Sequence, residues 1–187
     1  MGSKNLKAIA VRGTNQLEVK DLEKFLELSK GLTELINQHG PNKVLRKLGT
    51  PNMVMALNTQ GILPTQNFRT GVFEGAEKIS GECLNEKYVA KIIGCSSCAM
   101  RCEHMCVIPE GPYKNTMTRM EYETLWALGP FCGVDRLDAI VKGMELTNYY
   151  GLDSISAGVT GGSPGKGVAG PRPRPEGFVS GSSPVSG

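Results

Sequence analysis

The spacing of apolar residues predicts a mainly helical chain. Between residues 21 and 38, apolar positions recur every three or four residues with Glu and Lys between them, as on one face of a helix. Asp21 is placed to cap the start of this helix, and His39-Gly40-Pro41 ends it. Val134 to Tyr150 repeats the pattern, with Gly151 at the position of a C-terminal cap. The sequence therefore predicts two amphipathic helices.

Shorter helices are predicted between these two. Asn42 to Leu48 reads as a helical turn, and Thr50-Pro51 starts a helix with Thr as the cap and Pro at the first position. Loops rich in Gly and Pro separate the remaining segments. The other predicted short helices are Glu74 to Ser80, Leu84 to Ile93 and Met120 to Leu128.

The two ends of the chain differ from its centre. Leu6 to Val11 is a short apolar run before Gly13, which predicts a strand whose edge would be unpaired, because no partner strand follows. From Gly158 to Gly187 the chain is Gly, Pro, Ser, Val and Arg without a period, which predicts disorder. Out-of-frame translation of a GC-rich gene is our preferred explanation for this tail, and a natural linker is the other. The predicted fold class is mainly α, an irregular helical domain with a short N-terminal strand and a disordered C-terminal tail.

Composition and charge narrow the function classes. The chain has 187 residues, 40% hydrophobic and 21% charged, as in ordinary globular proteins. A net charge of +3 with scattered Lys and Arg gives no indication of nucleic-acid binding. No apolar run approaches the ~20 residues of a membrane span, and the first ten residues lack a signal peptide. We therefore expect a cytoplasmic protein without a membrane partner, whose cysteines bind metal.

The candidate chemistry lies in Cys95-x2-Cys98-x3-Cys102. This spacing puts three thiolates within reach of one metal centre, and thiolates select iron–sulfur clusters, zinc or copper(I). A 4Fe-4S cluster needs a fourth ligand. The candidates for it are Cys83, Cys106, Cys132 and a residue that this chain does not contain.

Other interpretations of the cysteines stay open. Zinc could be held by the three cysteines with His104, although the two-residue step from Cys102 is tighter than usual zinc spacing. A small electron carrier would use Cys106 as the fourth ligand, but its spacing differs from the bacterial ferredoxin pattern. Disulfides belong to oxidising compartments, to which nothing directs the chain. Buried thiols could also pack as small apolar side chains.

Several short motifs, taken in their order and spacing, resemble one known family. They are Met1 to Val11, Gly49-Thr-Pro-Asn52, Leu63-Pro-Thr-Gln-Asn-Phe68, Gly71-Val-Phe-Glu-Gly-Ala-Glu77, the three cysteines, Glu121-Tyr-Glu-Thr124, Leu128-Gly-Pro130 and Gly151-Leu-Asp153. Together these motifs resemble the tungsten-dependent aldehyde:ferredoxin oxidoreductases, over about residues 1 to 158. The resemblance implies a tungsten (or molybdenum) bis-pterin centre that oxidises a small aldehyde to a carboxylic acid. It also implies a 4Fe-4S cluster that passes the electrons to ferredoxin.

The resemblance also implies roles for single residues. Cys95, Cys98 and Cys102 match three of the four cluster cysteines, and the family's fourth lies far downstream of this chain. Glu123 matches a glutamate near the metal that is thought to take part in proton transfer, a role that suits a carboxylate.

A pterin-binding motif is matched by Asn148, Gly151, Leu152 and Asp153, with Asn148 where the family has Asp. An amide can still accept a hydrogen bond there, but without the charge.

The implied domain organisation is that of a fragment. Residues 1–14 would end an N-terminal pterin-binding domain, 15–158 would form the helical iron–sulfur and pterin-binding domain, and 159–187 would be the disordered tail. We expect the isolated chain to be inactive, since it lacks the pterin platform. The full-length protein could be a homo-oligomer. The alternative is a small stand-alone iron–sulfur electron-transfer or zinc-binding protein.

Overall fold

The computed structural model describes residues 4–6, 8–15 and 17–163. Within them, the elements are mostly helices, with one small sheet, so the prediction of a mainly helical domain is confirmed. The helices are α1 Leu22–Gln38, α2 Gly40–Leu48, α3 Met53–Thr59, α4 Gly81–Lys87, α5 Tyr122–Leu128, α6 Leu137–Tyr150 and α7 Ser154–Gly162. The strands are β1 Val89–Ile93, β2 Glu103–Val107 and β3 Met117–Met120. Short 3-10 turns occupy Thr50–Asn52, Ala76–Ile79 and Pro130–Cys132.

The sheet corrects one predicted helix. The three strands are antiparallel in the order β1-β2-β3, and Ile93 pairs with Glu103. The predicted helix from Leu84 to Ile93 is wrong in its second half, because α4 ends at Lys87 and the chain becomes extended. Val89, Ile92 and Ile93 are β-branched, and such side chains fit a pleated surface better than a helix.

The core lies between the sheet and the helices from α3 to α6. Its fully buried large side chains are Val54, Leu63, Ile79, Leu84, Ile108, Met120, Leu125, Phe131, Ile140 and Val141. Helix α1 stands apart from this core: Asp21 caps it as predicted, but none of its side chains is buried within the described part of the chain. No helix among the described residues is long and apolar enough to cross a membrane.

The predicted N-terminal strand is wrong. Of Leu6 to Val11, the residues that the structure describes are not in a strand, and Val11 is 89% exposed. A strand is stabilised by hydrogen bonds to a partner backbone, and no described residue pairs with this segment.

The predicted disordered tail begins too early. Helix α7 continues to Gly162, and Asp153 caps it by accepting a hydrogen bond from the Ser156 N–H at 2.7 Å. At Gly158 a Cβ would lie 2.4 Å from the Ala127 carbonyl oxygen, so glycine lets α7 approach α5 closely. The glycine-rich composition of this segment predicted disorder, but Gly158 instead forms a close contact between α7 and α5. The rest of the predicted tail, 164–187, lies outside the described residues.

Candidate metal and cofactor site

The three motif cysteines occupy one hairpin loop. Residues 94–102 connect β1 to β2 and carry Cys95, Cys98 and Cys102. Cys95 and Cys98 are exposed, and Cys102 is half-buried. The Cys98 N–H donates to the Cys95 carbonyl oxygen at 3.1 Å, so the first two cysteines share a turn. The antiparallel pairing of β1 and β2 therefore brings all three thiols into one exposed segment.

The loop is tightly wound. Ser97 and Arg101 have φ of 60° and 54°, the left-handed region that side chains disfavour. A Cβ at Gly94 would lie 3.1 Å from the Cα of Arg101, so the two ends of the loop press together there. Contacts outside the loop must hold this conformation.

Helix α2 supplies such contacts through Arg46. Its Nε donates to the Met100 carbonyl oxygen at 3.1 Å, and its Nη2 donates to the Ala99 carbonyl oxygen at 3.1 Å. Both acceptors lie between Cys98 and Cys102. No local sequence pattern identifies Arg46, because nothing nearby distinguishes it from a solvated helix residue.

His104 lies beneath the loop and is fully buried. Its Nε2 lies 3.1 Å from the Arg46 carbonyl oxygen, as expected if Nε2–H donates to it. Within the described part of the chain, its Nδ1 has no hydrogen-bond partner, and a Cβ at Gly49 would lie 2.9 Å from it. Among the described residues, no three His, Cys, Asp or Glu side chains form a group that could hold a single metal ion. The structure therefore does not join His104 to the three thiols as a zinc site would require.

Two candidates for the fourth ligand, Cys106 and Cys132, lie outside the loop, in β2 and in the 3-10 turn Pro130–Cys132. Cys106 is fully buried in the core, and burial raises the pKa of its thiol to about 12. It lies three residues into β2, about 10 Å along the strand from the loop's end. The thiol of Cys132 donates to the carbonyl oxygens of Ala127 and Gly158 at 3.3 Å, and burial raises its pKa too. Neither is arranged as a fourth ligand.

The surroundings of Cys102 raise the pKa of its thiol. Burial is the larger cause, and the negative charge of the Glu121 carboxylate is the second. Glu121 in turn accepts a hydrogen bond from the Thr50 hydroxyl at 2.8 Å, and that hydroxyl accepts the Tyr122 N–H at 2.9 Å. Thr50 thus ties the 3-10 turn before α3 to the start of α5.

Glu123 stands in the first turn of α5 and is exposed. Its Oε2 accepts a hydrogen bond from the Trp126 indole N–H at 2.6 Å. The Trp126 ring meets Phe131 edge-on, with centroids 5.6 Å apart. The carboxylate is therefore held by a packed aromatic side chain while open to solvent, as a proton acceptor needs to be.

The predicted pterin motif forms the turn between α6 and α7. Gly151 has φ of 67° and ends α6 as predicted, and the space where its Cβ would lie is open to 4 Å. Asn148 Nδ2 donates to the Thr118 hydroxyl at 3.1 Å, which leaves its Oδ1 as an acceptor. Leu152 is exposed. Hydrogen bonding to Ser156 lowers the pKa of the exposed Asp153 below its usual value, which keeps it a carboxylate.

One hydrogen bond brings two of the predicted site segments together. The hydroxyls of Thr124 and Ser154 lie 2.8 Å apart, and these residues directly follow Glu123 and Asp153. The Glu121 carboxylate at the start of α5 is near enough to Cys102 to raise the pKa of its thiol. Three motifs that are far apart in the sequence therefore converge on the start of α5.

The donor set suits a cluster of iron and sulfide. A cluster takes one cysteine per iron, so its thiolates need not converge on a single atom, and three soft donors in an exposed loop fit that requirement. Fold and site together define a mainly helical domain with three cysteines in one hairpin loop.

A family model described as aldehyde ferredoxin oxidoreductase, domains 2 and 3, matches residues 27–163. The chain belongs to the aldehyde ferredoxin oxidoreductase family. The tungsten-containing aldehyde ferredoxin oxidoreductase of Pyrococcus abyssi is 39% identical over 166 residues, covering 86% of this chain and 26% of the relative. The protein of that name from Pyrococcus furiosus is 37% identical over the same shares. The chain thus spans about a quarter of the length of these relatives.

A more distant relative is named for a different substrate. An aliphatic sulfonate oxidoreductase, WOR-like subunit, of Pyrococcus furiosus is 27% identical over 161 residues, covering 84% of this chain and 25% of the relative.

Proposed function

We propose that this chain is the part of an aldehyde oxidoreductase that supplies three ligands to a 4Fe-4S cluster and one half of a pterin site. The observation that carries the proposal is the hairpin loop 94–102, which gathers Cys95, Cys98 and Cys102 in an exposed segment. The names of the relatives support tungsten as the metal and ferredoxin as the electron acceptor. Molybdenum is the alternative metal.

The bound tungsten–pterin centre would supply the oxygen transfer to the aldehyde and take up two electrons. Converting an aldehyde and water into a carboxylic acid releases two protons along with the two electrons, and Glu123 would accept one of these protons. Its hydrogen bond from Trp126 keeps one carboxylate oxygen in a fixed direction and leaves the other for the substrate side. The exposure of Glu123 allows the proton to leave to solvent.

The turn after α6 would hold the pterin. Gly151 leaves open space beside the backbone, and the exposed Asp153 carboxylate keeps acceptor capacity on Oδ1 beyond its hydrogen bonding to Ser156. That oxygen and Oδ1 of Asn148 can accept hydrogen bonds from the amino groups of a pterin. Leu152, which is exposed beside them, would contact the ring.

The proposed domain organisation follows the resemblance. Residues 1–14 belong to a pterin-binding domain, and the helical domain begins at 15 and extends through α7 rather than stopping at 158. Since the chain spans about a quarter of the length of these relatives, the other pterin half-site and the fourth cluster ligand would belong to polypeptide outside this chain. The isolated chain should therefore not oxidise aldehydes.

The test is metal analysis after anaerobic reconstitution of the 187-residue chain with ferrous iron and sulfide. We expect iron with acid-labile sulfide in equal amounts, lost in Cys98→Ala and kept in the matched control Cys132→Ala. Zinc without sulfide would support the zinc-binding alternative. A cluster that is lost in Cys106→Ala would support the stand-alone electron carrier. No metal in any form would contradict the proposal.

The role of Glu123 is tested in a complete enzyme that carries this sequence. Glu123→Gln should lower aldehyde oxidation about 100-fold or more, the usual effect of losing a general base. Glu86→Gln, a carboxylate on α4, is the control. Equal activity of both variants would exclude Glu123 from proton transfer.

A further inference from the structure

We propose that Arg46 is a positioning residue for the cysteine loop, which it clamps to α2 while placing a fixed positive charge beside the group that the cysteines bind. The proposal rests on the proposed function, since the bound group is the cluster. It adds a residue from outside every motif that carries the family resemblance.

The clamp is made by one guanidinium. Nε donates to the Met100 carbonyl oxygen at 3.1 Å, and Nη2 donates to that of Ala99 at 3.1 Å. Nη2 also donates to Oδ1 of Asn37, near the end of α1, at 2.7 Å. The guanidinium is planar, so three bonds in one plane fix the loop backbone relative to both helices. A lysine ammonium could keep the charge but not this fork.

The backbone of Arg46 holds the other side of Cys102. Its carbonyl oxygen lies 3.1 Å from Nε2 of His104, two residues after Cys102. The Arg46 side chain thus binds Ala99 and Met100, which precede Cys102. Its carbonyl oxygen binds His104, which follows Cys102. Gly49, three residues further on, completes the brace, because a Cβ there would lie 3.0 Å from the Cys102 carbonyl oxygen.

The loop needs such a brace. Ser97 and Arg101 are both left-handed without being glycine, and this conformation persists only where surrounding contacts impose it. The bonds from Arg46 fall on Ala99 and Met100, between these two residues. Without these hydrogen bonds the loop backbone would leave its left-handed conformation, and the three thiols would no longer be held in one arrangement.

The charge has a separate consequence. A cluster bound by thiolates becomes more negative on reduction, and a nearby fixed cation stabilises the reduced form. Removing the charge of Arg46 should therefore move the midpoint potential to a more negative value. Loss of packing alone does not require a shift in this direction.

The experiment compares Arg46→Gln, which lacks the charge, with Arg46→Lys, which keeps it, in the reconstituted 187-residue chain. Lys47→Gln removes the same charge from the next, exposed residue and is the matched control. Three quantities are measured: the rate of iron loss to a chelator, the midpoint potential from a titration followed by electron paramagnetic resonance, and hydrogen exchange of loop 94–102 in the metal-free chain.

We expect Arg46→Gln to lose iron at least fivefold faster than Lys47→Gln and to have a more negative potential. Arg46→Lys should keep a potential near that of the unmodified chain, yet lose iron as fast as Arg46→Gln. Loop exchange should be faster in both Arg46 variants. If Arg46→Gln does not fold, Arg46→Lys still decides the positioning role.

Two outcomes separate this inference from the proposed function. If the unmodified chain binds no cluster, the proposed function fails, and loop exchange in the metal-free chain still decides whether Arg46 holds the loop. If the cluster forms but iron loss, potential and exchange in Arg46→Gln equal those of Lys47→Gln, the inference about Arg46 is overturned while the proposed function stands.

Discussion

The hydroxyl of Thr124 in α5 lies 2.8 Å from the hydroxyl of Ser154 at the start of α7. Thr124 is 3% exposed, so this bond is largely shielded from water. Because Glu123 and Asp153 directly precede the two residues, the bond fixes the proposed proton acceptor relative to the proposed pterin turn. Stability and site geometry are therefore coupled at this contact.

Removing the Thr124 hydroxyl should destabilise the domain. We expect Thr124→Val to lower the free energy of unfolding by about 1–2 kcal/mol, because a buried hydrogen bond is lost at nearly constant volume. Denaturant unfolding of the chain measures the change. The double variant Thr124→Val with Ser154→Ala should lose about 1 kcal/mol less unfolding free energy than the sum of the two single losses. Additive losses would mean that the two hydroxyls do not interact.

The reactivity of the cysteines should follow their placement. Cys95 and Cys98 are exposed, whereas burial raises the pKa of Cys106 to about 12, and only the thiolate reacts. In the folded, metal-free chain near neutral pH, we expect alkylation of Cys106 to be roughly 100-fold slower than that of Cys98. Peptide mass spectrometry over time measures both rates. In denaturant the two rates should become similar, and similar rates in the folded chain would contradict the burial of Cys106.

The sequence predicted the elements whose signals are local. Helix α1 was predicted from its periodicity and from Asp21, and the end of α6 from Gly151, whose left-handed conformation is a local requirement. Helix α4 and strand β1 were read as one helix, because a short apolar run has no period that separates strand from helix. The decisive fact is the pairing of β1 with β2, which a local pattern does not contain.

The candidate site was proposed from local signals too. The spacing of the cysteines predicted a metal site in the loop, and the resemblance predicted roles for Glu123 and the turn at Gly151, and these roles stay predictions. Arg46 could not be found in this way, because its acceptors Ala99 and Met100 lie 53 and 54 residues away in the sequence. Its role exists only once α2 and the hairpin are packed together.

A side chain at Gly158 should separate α7 from α5. We expect Gly158→Ala to lower the free energy of unfolding by about 1–3 kcal/mol, because the added Cβ would lie 2.4 Å from the Ala127 carbonyl oxygen and the helices must shift. Gly161→Ala is the matched control in the same helix, where a Cβ would meet only Cys132 Sγ, at 3.9 Å. That control should gain up to about 1 kcal/mol from helix propensity. Thermal or denaturant unfolding compares the two, and equal effects would mean that α7 does not pack on α5.

Asp153 should contribute a pH-dependent part of the stability. Hydrogen bonding to Ser156, from its side chain first and then its backbone N–H, lowers the pKa of Asp153 in the folded chain from 3.8. Its contribution is therefore complete above that value and is lost as the pH falls through the lower folded pKa. Asp153→Asn keeps a cap at neutral pH, so its melting temperature should equal that of the unmodified chain there and fall less on acidification.

Melting curves at several pH values from about pH 7 to about pH 2 measure this difference. Glu27→Gln removes an exposed carboxylate from α1 that accepts no hydrogen bond among the described residues, and it serves as the control. A pH profile of Asp153→Asn that follows the profile of the unmodified chain would mean that Asp153 does not cap α7.

Gly49 should tolerate no side chain, because of its backbone conformation and because of the space that a Cβ would need. Its φ of 67° and ψ of −170° lie in a region that is essentially restricted to glycine, and a Cβ would lie 2.9 Å from Nδ1 of the buried His104. We expect Gly49→Ala to cost about 3 kcal/mol or more in denaturant unfolding. Gly61 has φ of 72° but open space around its Cβ position, so Gly61→Ala should cost only about 1 kcal/mol, from backbone strain alone. The difference between the two costs combines the more restricted backbone of Gly49 with the contacts that a Cβ would make with His104 and the Cys102 carbonyl oxygen. If Gly49→Ala costs no more than Gly61→Ala, Gly49 is required only by the backbone, and His104 is not held against it.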